Sequence, residues 1–433
     1  MNLITHLPYL LKYSIQTHIE PRLSYASQYA NMEKRLIKTI VKAYEDVPFY
    51  REHFDNLHVD INKIKNVGDI KLLPFLTKED IRTNYPKKLL ARGVDLKNCY
   101  TSGTTGSTGK SINFAYSMQT YMFYLCTNLR VYTMIGYKPW YKVAYIKYTP
   151  ISTLHIPVLP LFRTSHIPSI ITLEEQMEML RAAQPDMLIG YASIIMDIAQ
   201  HLTKRDRKYI KPRLISVNSE LSTAEERKFI CDTFNCPVYD EYSTEETWMV
   251  ASQCKYGSYH LFTDNVHMEF IDKTGADVPK GEIGEMVATT LRSPAMPLIR
   301  YKIGDLGVLS DKVCKCGRKS PILESFEGRA DDAFILKNGE KICSGNIINT
   351  CTKFIKSDPE LMNEFKFIQK KVDYATILLV PGSGYDNDRF NDLITQLKKI
   401  LKLPFNIDVQ FVKKIDNNGG IKRKAIESLV KRS

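Results

Sequence analysis

The eleven residues from Tyr100 to Lys110 run Tyr-Thr-Ser-Gly-Thr-Thr-Gly-Ser-Thr-Gly-Lys. Gly103, Gly106 and Gly109 remove Cβ bulk, so backbone N–H groups can turn toward an anion. The hydroxyls of Ser102, Thr104 and Thr105 add neutral donors, and Lys110 adds a mobile positive charge. Such a loop suits polyphosphate oxygens. It is not a Walker loop, which needs glycine five residues before its Gly-Lys pair, where this chain has Thr104. A plain Ser/Gly/Thr linker has a similar composition, but the flanks here read as ordered.

Three further segments carry polar chemistry. Asp240-Glu241-Tyr242-Ser243-Thr244-Glu245-Glu246 follows a predicted strand, and a carboxylate at a strand end suits a magnesium ion that bridges phosphates. Surface acid clusters are common, so this segment alone is weak. In Arg300-Tyr301-Lys302-Ile303-Gly304-Asp305, the Asp305 carboxylate can accept both hydroxyls of a ribose. In Glu327-Gly328-Arg329-Ala330-Asp331-Asp332, Arg329 can neutralise a phosphate.

Cys254 and His260, then Cys314 and Cys316, form a set of three thiolates and one imidazole suited to tetrahedral zinc. Four protein ligands leave no open position, so the expected role is structural. Buried unliganded cysteine is the alternative. His155, His166 and His201 have no partner at catalytic spacing, and Trp140 and Tyr141 suit a core as well as a ligand pocket.

The elements that must position these residues can be read from periodicity. Leu36, Ile40, Ala43 and Tyr44 predict an amphipathic helix over about 33–53. Strands are predicted at Val143–Ile146, Met187–Ile189, Leu214–Val217 and Pro237–Tyr239. Helices lie between them, one capped by Thr172 with Glu175 and another by Ser222 with Glu225. That alternation argues for a parallel sheet in an α/β layer fold. Short strands with turns at Thr274-Gly275 and Lys280-Gly281 follow. The last hundred residues read as a separate α+β unit beginning near Gly328.

The chain has 433 residues, with 60 Lys and Arg against 48 Asp and Glu, for a net charge of +12. That excess fits nucleic acid, an anionic membrane or an anionic small substrate, but no sustained basic arm supports nucleic acid. A solvated Lys-rich surface is the plain explanation. Leu7 to Ile15 is apolar but interrupted by Lys12, with no small-residue cleavage site after it, so no signal peptide is expected. No transmembrane span is expected either. An odd count of nine cysteines fits a reducing cytoplasm.

The phosphate-type loop, the Tyr242–Glu246 segment, the Arg300–Asp305 segment and Gly328–Asp331 occur in this order and at wide separations. That set resembles the adenylate-forming superfamily of acyl-CoA synthetases and related ligases. Among these it is most similar to the phenylacetate–CoA ligase-like enzymes, including those found with capsular polysaccharide biosynthesis genes.

The resemblance implies an α/β fold with a large N-terminal adenylation domain, residues 1–328, made of α/β subdomains plus a small β-rich part. A small mobile α+β C-terminal lid, 329–433, would hinge at Asp331. It also implies activation of a small carboxylic acid by ATP and Mg²⁺, then transfer to CoA or an acyl carrier protein. An amine or sugar acceptor, or a non-catalytic protein that keeps the ATP pocket, are the alternatives.

Residue by residue, Ser102, Gly103, Thr104, Thr105, Gly106 and Lys110 would hold the β- and γ-phosphates. Glu246 would bind magnesium, counted from Tyr242, or Glu245 if Thr-Glu is the anchor; Tyr242, Ser243 and Thr244 complete that nucleotide segment. Asn218, Ser219 and Glu220 resemble the adenine contact, Asp305 the ribose contact and Arg329 the phosphate contact. Gly190 and Tyr191 fall where the acyl pocket begins.

Two departures stand out. Ser107-Thr108 precede Gly109-Lys110, with Ser111 where proline is frequent. The family's C-terminal Gly-Lys is replaced by Asn418-Gly419-Gly420-Ile421-Lys422, where a one-residue slip gives Lys422 as the catalytic lysine.

Overall fold

The computed structural model describes residues 6–104, 112–148, 161–337, 341–345, 347–348, 350–351, 360–400, 406–415 and 425–430. The chain divides into two units. One comprises Met1–Gly136 and Glu241–Ser325, the other Tyr137–Asp240 and Phe326–Ser433.

In the second unit, the strands Thr164–Pro168, Val143–Lys147, Met187–Tyr191 and Leu214–Asn218 pair in that order, all parallel. Met187–Tyr191 and Leu214–Asn218 are buried at every position. This is why they read as continuous apolar runs rather than alternating ones. Helices Leu173–Ala183, Ala192–Gln200 and Ala224–Phe234 connect the strands and bury Leu180, Ile195, Ile198 and Ile230 against them.

The capping box predicted at Thr172 and Glu175 is present. The second box is displaced by one residue: Thr223 and Glu226 form it, not Ser222 and Glu225. Ser222 instead donates to Asp240 at 2.8 Å, while Arg227 donates to its carbonyl at 2.6 Å.

The other unit is antiparallel where it has strands. Cys99–Thr104 pairs with Ile112–Ser117, with Gly103 opposite Asn113, so the glycine-rich loop joins a hairpin. Val266–Ile271, Ile283–Thr290 and Tyr301–Leu309 form a meander. Its turns use Gly275 and Gly281 at φ +87° and +90°. Two helices, Tyr25–Asp46 and Pro48–Asn56, replace the single one expected over 33–53. Pro48 forces Val47 into an extended conformation and ends the first helix there. The helix Met118–Met134 was not expected. Nine of its seventeen residues are buried, so it shows no polar face to reveal a period.

The C-terminal part has its own core, which includes Phe334, Phe367, Ile377, Phe390 and Leu397. Met362–Lys371 and Tyr374–Pro381 pair antiparallel, Asn406–Phe411 and Ile426–Ser428 add on in parallel, and the helix Asn387–Ile400 packs there. The architecture is of the α/β class expected, with an α+β C-terminal part.

Candidate functional site

The carboxylate-bearing segments meet in the unit formed by Met1–Gly136 and Glu241–Ser325. After the strand Val238–Thr244 a three-residue turn carries two adjacent glutamates in opposite directions: Glu245 is exposed and Glu246 is buried. Thr247 N–H donates to Thr244 Oγ1 at 3.0 Å to close the turn. The Asn265 amide then donates to the Thr247 and Met249 carbonyls at 2.9 and 2.8 Å.

Ser102, at the foot of the glycine-rich loop, donates to the Glu245 carboxylate across 143 positions of sequence. Tyr116 OH donates to the Glu245 carbonyl and, at 3.2 Å, to that of Glu246. Tyr301 OH donates to Glu246 Oε1 at 3.2 Å, and Tyr242 OH donates to Asp305 Oδ2 at 2.6 Å. Burial raises the Glu246 pKa, and the charge of Asp305 adds to the rise. A desolvated carboxylate beside a second one is a group that a divalent cation would return to its ionised form.

Arg300, five residues before Asp305, does different work. It is buried and donates to Glu269 at 2.8 Å and to the Leu73 carbonyl at 2.7 Å, with its guanidinium 4.0 Å over the Phe75 ring. It clamps the strand that presents Asp305.

In the second unit, Gly190, Tyr191 and Asn218 lie at the C-terminal ends of parallel strands, the edge where open α/β sheets bind ligands. A Cβ on Gly190 would come within 3.0 Å of the Ile146 side chain, so the strands approach closely only with glycine here. Lys147, which the sequence did not single out, ends the neighbouring strand. It donates to Asn218 Oδ1 and Ser219 Oγ at 2.5 Å each and stands 4.3 Å over the Tyr191 ring. Its one sequence signal was its place at a strand end. Glu220 accepts from Ser193 N–H at 2.9 Å, which ties the predicted adenine segment to the predicted acyl-pocket segment.

Arg329 is exposed at the end of the strand Ile322–Arg329. Just before it, Gly328 takes φ +85°, and a Cβ there would collide with Ser344 Oγ at 1.9 Å. Thr105, Gly106, Lys110 and Lys422 lie outside the described residues, as do the side chains of Thr104 and Asp331.

The four predicted zinc ligands do converge. Cys254, His260, Cys314 and Cys316 offer ligand atoms that all lie within 4.8 Å of one another. Cys254 Sγ is 3.5 Å from Cys314 Sγ, and Cys316 Sγ is 3.2 Å from His260 Nε2. Tetrahedral zinc with ordinary bond lengths puts sulfurs about 3.8 Å apart and sulfur about 3.5 Å from nitrogen, so the set fits the ion with small adjustments.

Two tight turns shape the set, with Gly257 at φ +80° and Gly317 at φ +84°. Backbone N–H groups of Tyr256 and Cys316 point at Cys254 Sγ and Cys314 Sγ, each at 3.4 Å. Ser320 Oγ lies 3.3 Å from His260 Nδ1, leaving Nε2 for the ion. Burial pushes the Cys254 thiol up to about 11. At Cys314 burial acts in the same direction, but hydrogen bonds from Ser258, Cys316 and Cys254 outweigh it and lower the thiol. Burial also holds His260 neutral, down at about 4. A neutral imidazole is the metal-binding form.

Comparison with known proteins points one way. Residues 334–428 match the family model described as the CapK C-terminal domain. The chain is 29% identical over 402 residues to Protein CapK of Staphylococcus aureus, covering 88% of this chain and 85% of that one. It is 28% identical over 323 residues to a phenylacetate-coenzyme A ligase of Thermus thermophilus, covering 71% and 72%. Among solved structures, a 2-hydroxyisobutyryl-CoA ligase in complex with 2-HIB-AMP superposes with a TM-score of 0.75. It covers 90% of this chain and 87% of that one at 18% identity, a likeness of fold.

Proposed function

We propose that the chain is an AMP-forming carboxylate ligase of the adenylate-forming superfamily, in its phenylacetate–CoA ligase-like and CapK branch. A carboxylate oxygen of the acid attacks the α-phosphorus of ATP and pyrophosphate leaves. The thiol of CoA, or of a carrier protein, then attacks the acyl carbon and AMP leaves. The phenylacetate- and 2-hydroxyisobutyryl-CoA ligases support CoA as the acceptor.

The observation that carries this reading is the convergence of residues distant in sequence: Ser102 on Glu245 across 143 positions, and Tyr242 on Asp305 across 63. Asp305, oriented by Tyr242, binds the ribose hydroxyls. Ser102 and the loop after it, with Gly103, Thr104, Thr105, Gly106 and Lys110, bind the β- and γ-phosphates. Ser243 and Thr244 carry the chain between Tyr242 and the two glutamates.

Glu246 holds Mg²⁺, which when bound supplies charge neutralisation to the departing pyrophosphate. Asn218, Ser219 and Glu220 contact adenine, Arg329 a phosphate, and Gly190 and Tyr191 the acyl group. Lys422 stabilises charge during adenylation. Residues 329–433 act as a lid turning at Asp331 on the domain 1–328. Cys254, His260, Cys314 and Cys316 hold a structural Zn²⁺ with no open position. ATP and CoA as substrates support a cytoplasmic location.

ATP–pyrophosphate exchange with a panel of aryl, fatty and amino acids tests the proposal. Exchange that depends on one acid and collapses in Lys422→Ala supports it. ATP binding without exchange for any acid overturns it in favour of a non-catalytic binding protein. Product that forms with an amine or sugar but not with CoA would keep adenylation and replace the acceptor.

A further inference from the structure

The helix Leu7–Ile19 is fastened along one face and bare along the other. Its inner face meets the helix Met118–Met134: Tyr13 sits edge-on to Phe123 at 5.5 Å, and Arg130 donates to the Thr17 carbonyl at 3.1 Å. His18 Nε2 lies 3.0 Å from Thr133 Oγ1.

The outer face carries Leu7, Leu11, Ile15 and Ile19, which are 51%, 58%, 60% and 55% exposed. Their spacing of four residues aligns them in one stripe. The next helix adds Tyr25 and Tyr29, 54% and 39% exposed, their rings 6.2 Å apart. Four large aliphatics in a row on one exposed face are more than the scattered apolar residues of an ordinary surface.

Charge decides what fits that stripe. From residue 6 to 32 the sole acid is Glu20, which is buried and paired with Arg35. The exposed charges along the stretch are Lys12 and Arg22. A second copy docking through this face would bring the same cations against each other. An anionic lipid surface complements both the apolar row and the cations, and exposed tyrosines suit the headgroup layer.

The helix is 13 residues long, and no helix among the described residues is long and apolar enough to cross a membrane. The geometry therefore points to a helix lying in the interface. We infer that the exposed face of Leu7–Ile19, with Tyr25 and Tyr29, docks the protein on an anionic bilayer surface. This inference does not depend on the ligase reading.

The test is flotation of the full chain with vesicles of phosphatidylcholine containing about one-third phosphatidylglycerol, against phosphatidylcholine alone. The expected result is co-flotation with the anionic vesicles only, weakened by salt. The double variant Leu11→Glu/Ile15→Glu should bind at least about tenfold more weakly. Lys12→Glu should lose part of the binding.

Neither position packs against the helix Met118–Met134 through the contacts above, so melting and ATP–pyrophosphate exchange in solution should match wild type. If the double variant does not fold, the lipid and salt dependence of the wild type and Lys12→Glu carries the test. Failure of the wild type to float, or equal flotation of a folded double variant, would overturn the inference. So would a solution dimer that the double variant dissociates, which would assign the face to a second copy.

Discussion

The cysteine–histidine cluster and the Glu246–Asp305 pocket lie in the same unit and follow opposite plans. In the cluster, donors come from two tight turns and a short strand, and every one points at a common centre. Ser320 lies against the outward-facing His260 Nδ1, and backbone N–H groups donate to the Cys254 and Cys314 sulfurs. In the pocket, tyrosine hydroxyls donate to two carboxylates, and Ser102 ties the end of a phosphate-type loop to the exposed Glu245. The first arrangement is closed and its energy goes into holding loops together. The second sets two carboxylates beside the end of a phosphate-type loop, an arrangement suited to a ligand that comes and goes.

Disturbing the cluster should cost stability and disturbing the pocket should cost activity. The largest expected effect is loss of the metal. The purified protein should carry about one zinc per chain. Stripping it, or Cys314→Ser, should lower Tm by about 10 °C or more while activity per folded molecule is kept. Metal analysis and calorimetry on the same samples check this. A zinc-free protein with unchanged Tm would erase the distinction.

Arg300→Ala tests a residue that sits in a site motif but belongs with the framework. It leaves Glu269 buried without its guanidinium partner, at a cost of about 3–5 kcal/mol in urea unfolding. Adding Glu269→Gln should recover part of that loss.

Within the pocket, Asp305→Asn should raise the KM for ATP about 10- to 100-fold with Tm unchanged, and Tyr242→Phe should raise it less. Initial-rate kinetics at saturating acid give the numbers.

The smallest effects are in pH dependence. Burial holds the His267 imidazole down at about 4, and Arg300 adds to this against Asp277. The unfolded chain takes up a proton near pH 6.5 that the folded one refuses. Stability should therefore fall as pH drops from about 6.5 toward 4, and His267→Gln should flatten that slope. Glu246, raised by burial and by Asp305, would have to be ionised to hold a cation. At low Mg²⁺ the acid limb of activity should accordingly lie above the ordinary carboxylate range, and added Mg²⁺ should move it down.

Much of this was legible in the sequence because it is local. The strands at Val143–Lys147, Met187–Tyr191 and Leu214–Asn218 announce themselves as short apolar runs, and Thr172 with Glu175 announces a helix start. The Ser222 cap was read one residue early because its hydroxyl is as good a cap as that of Thr223; the contact with Asp240, eighteen residues away, decides between them.

The four thiol and imidazole ligands could be grouped from donor type and close spacing, Cys254 with His260 and Cys314 with Cys316. Lys147 and Tyr301 could not be picked out. A lysine ending a strand and a tyrosine inside one are common, and their meaning comes from Asn218 and Glu246, brought to them by folding. The choice between Glu245 and Glu246 was open for the same reason, and the structure separates the pair by burial.

The most direct test compares acid-dependent ATP–pyrophosphate exchange in the wild type and Glu246→Gln, with the Tm of each measured alongside. Exchange should fall by at least about 100-fold while Tm stays within a few degrees of wild type. Exchange at the wild-type rate in Glu246→Gln would contradict this, because the buried carboxylate would then have no part in the chemistry.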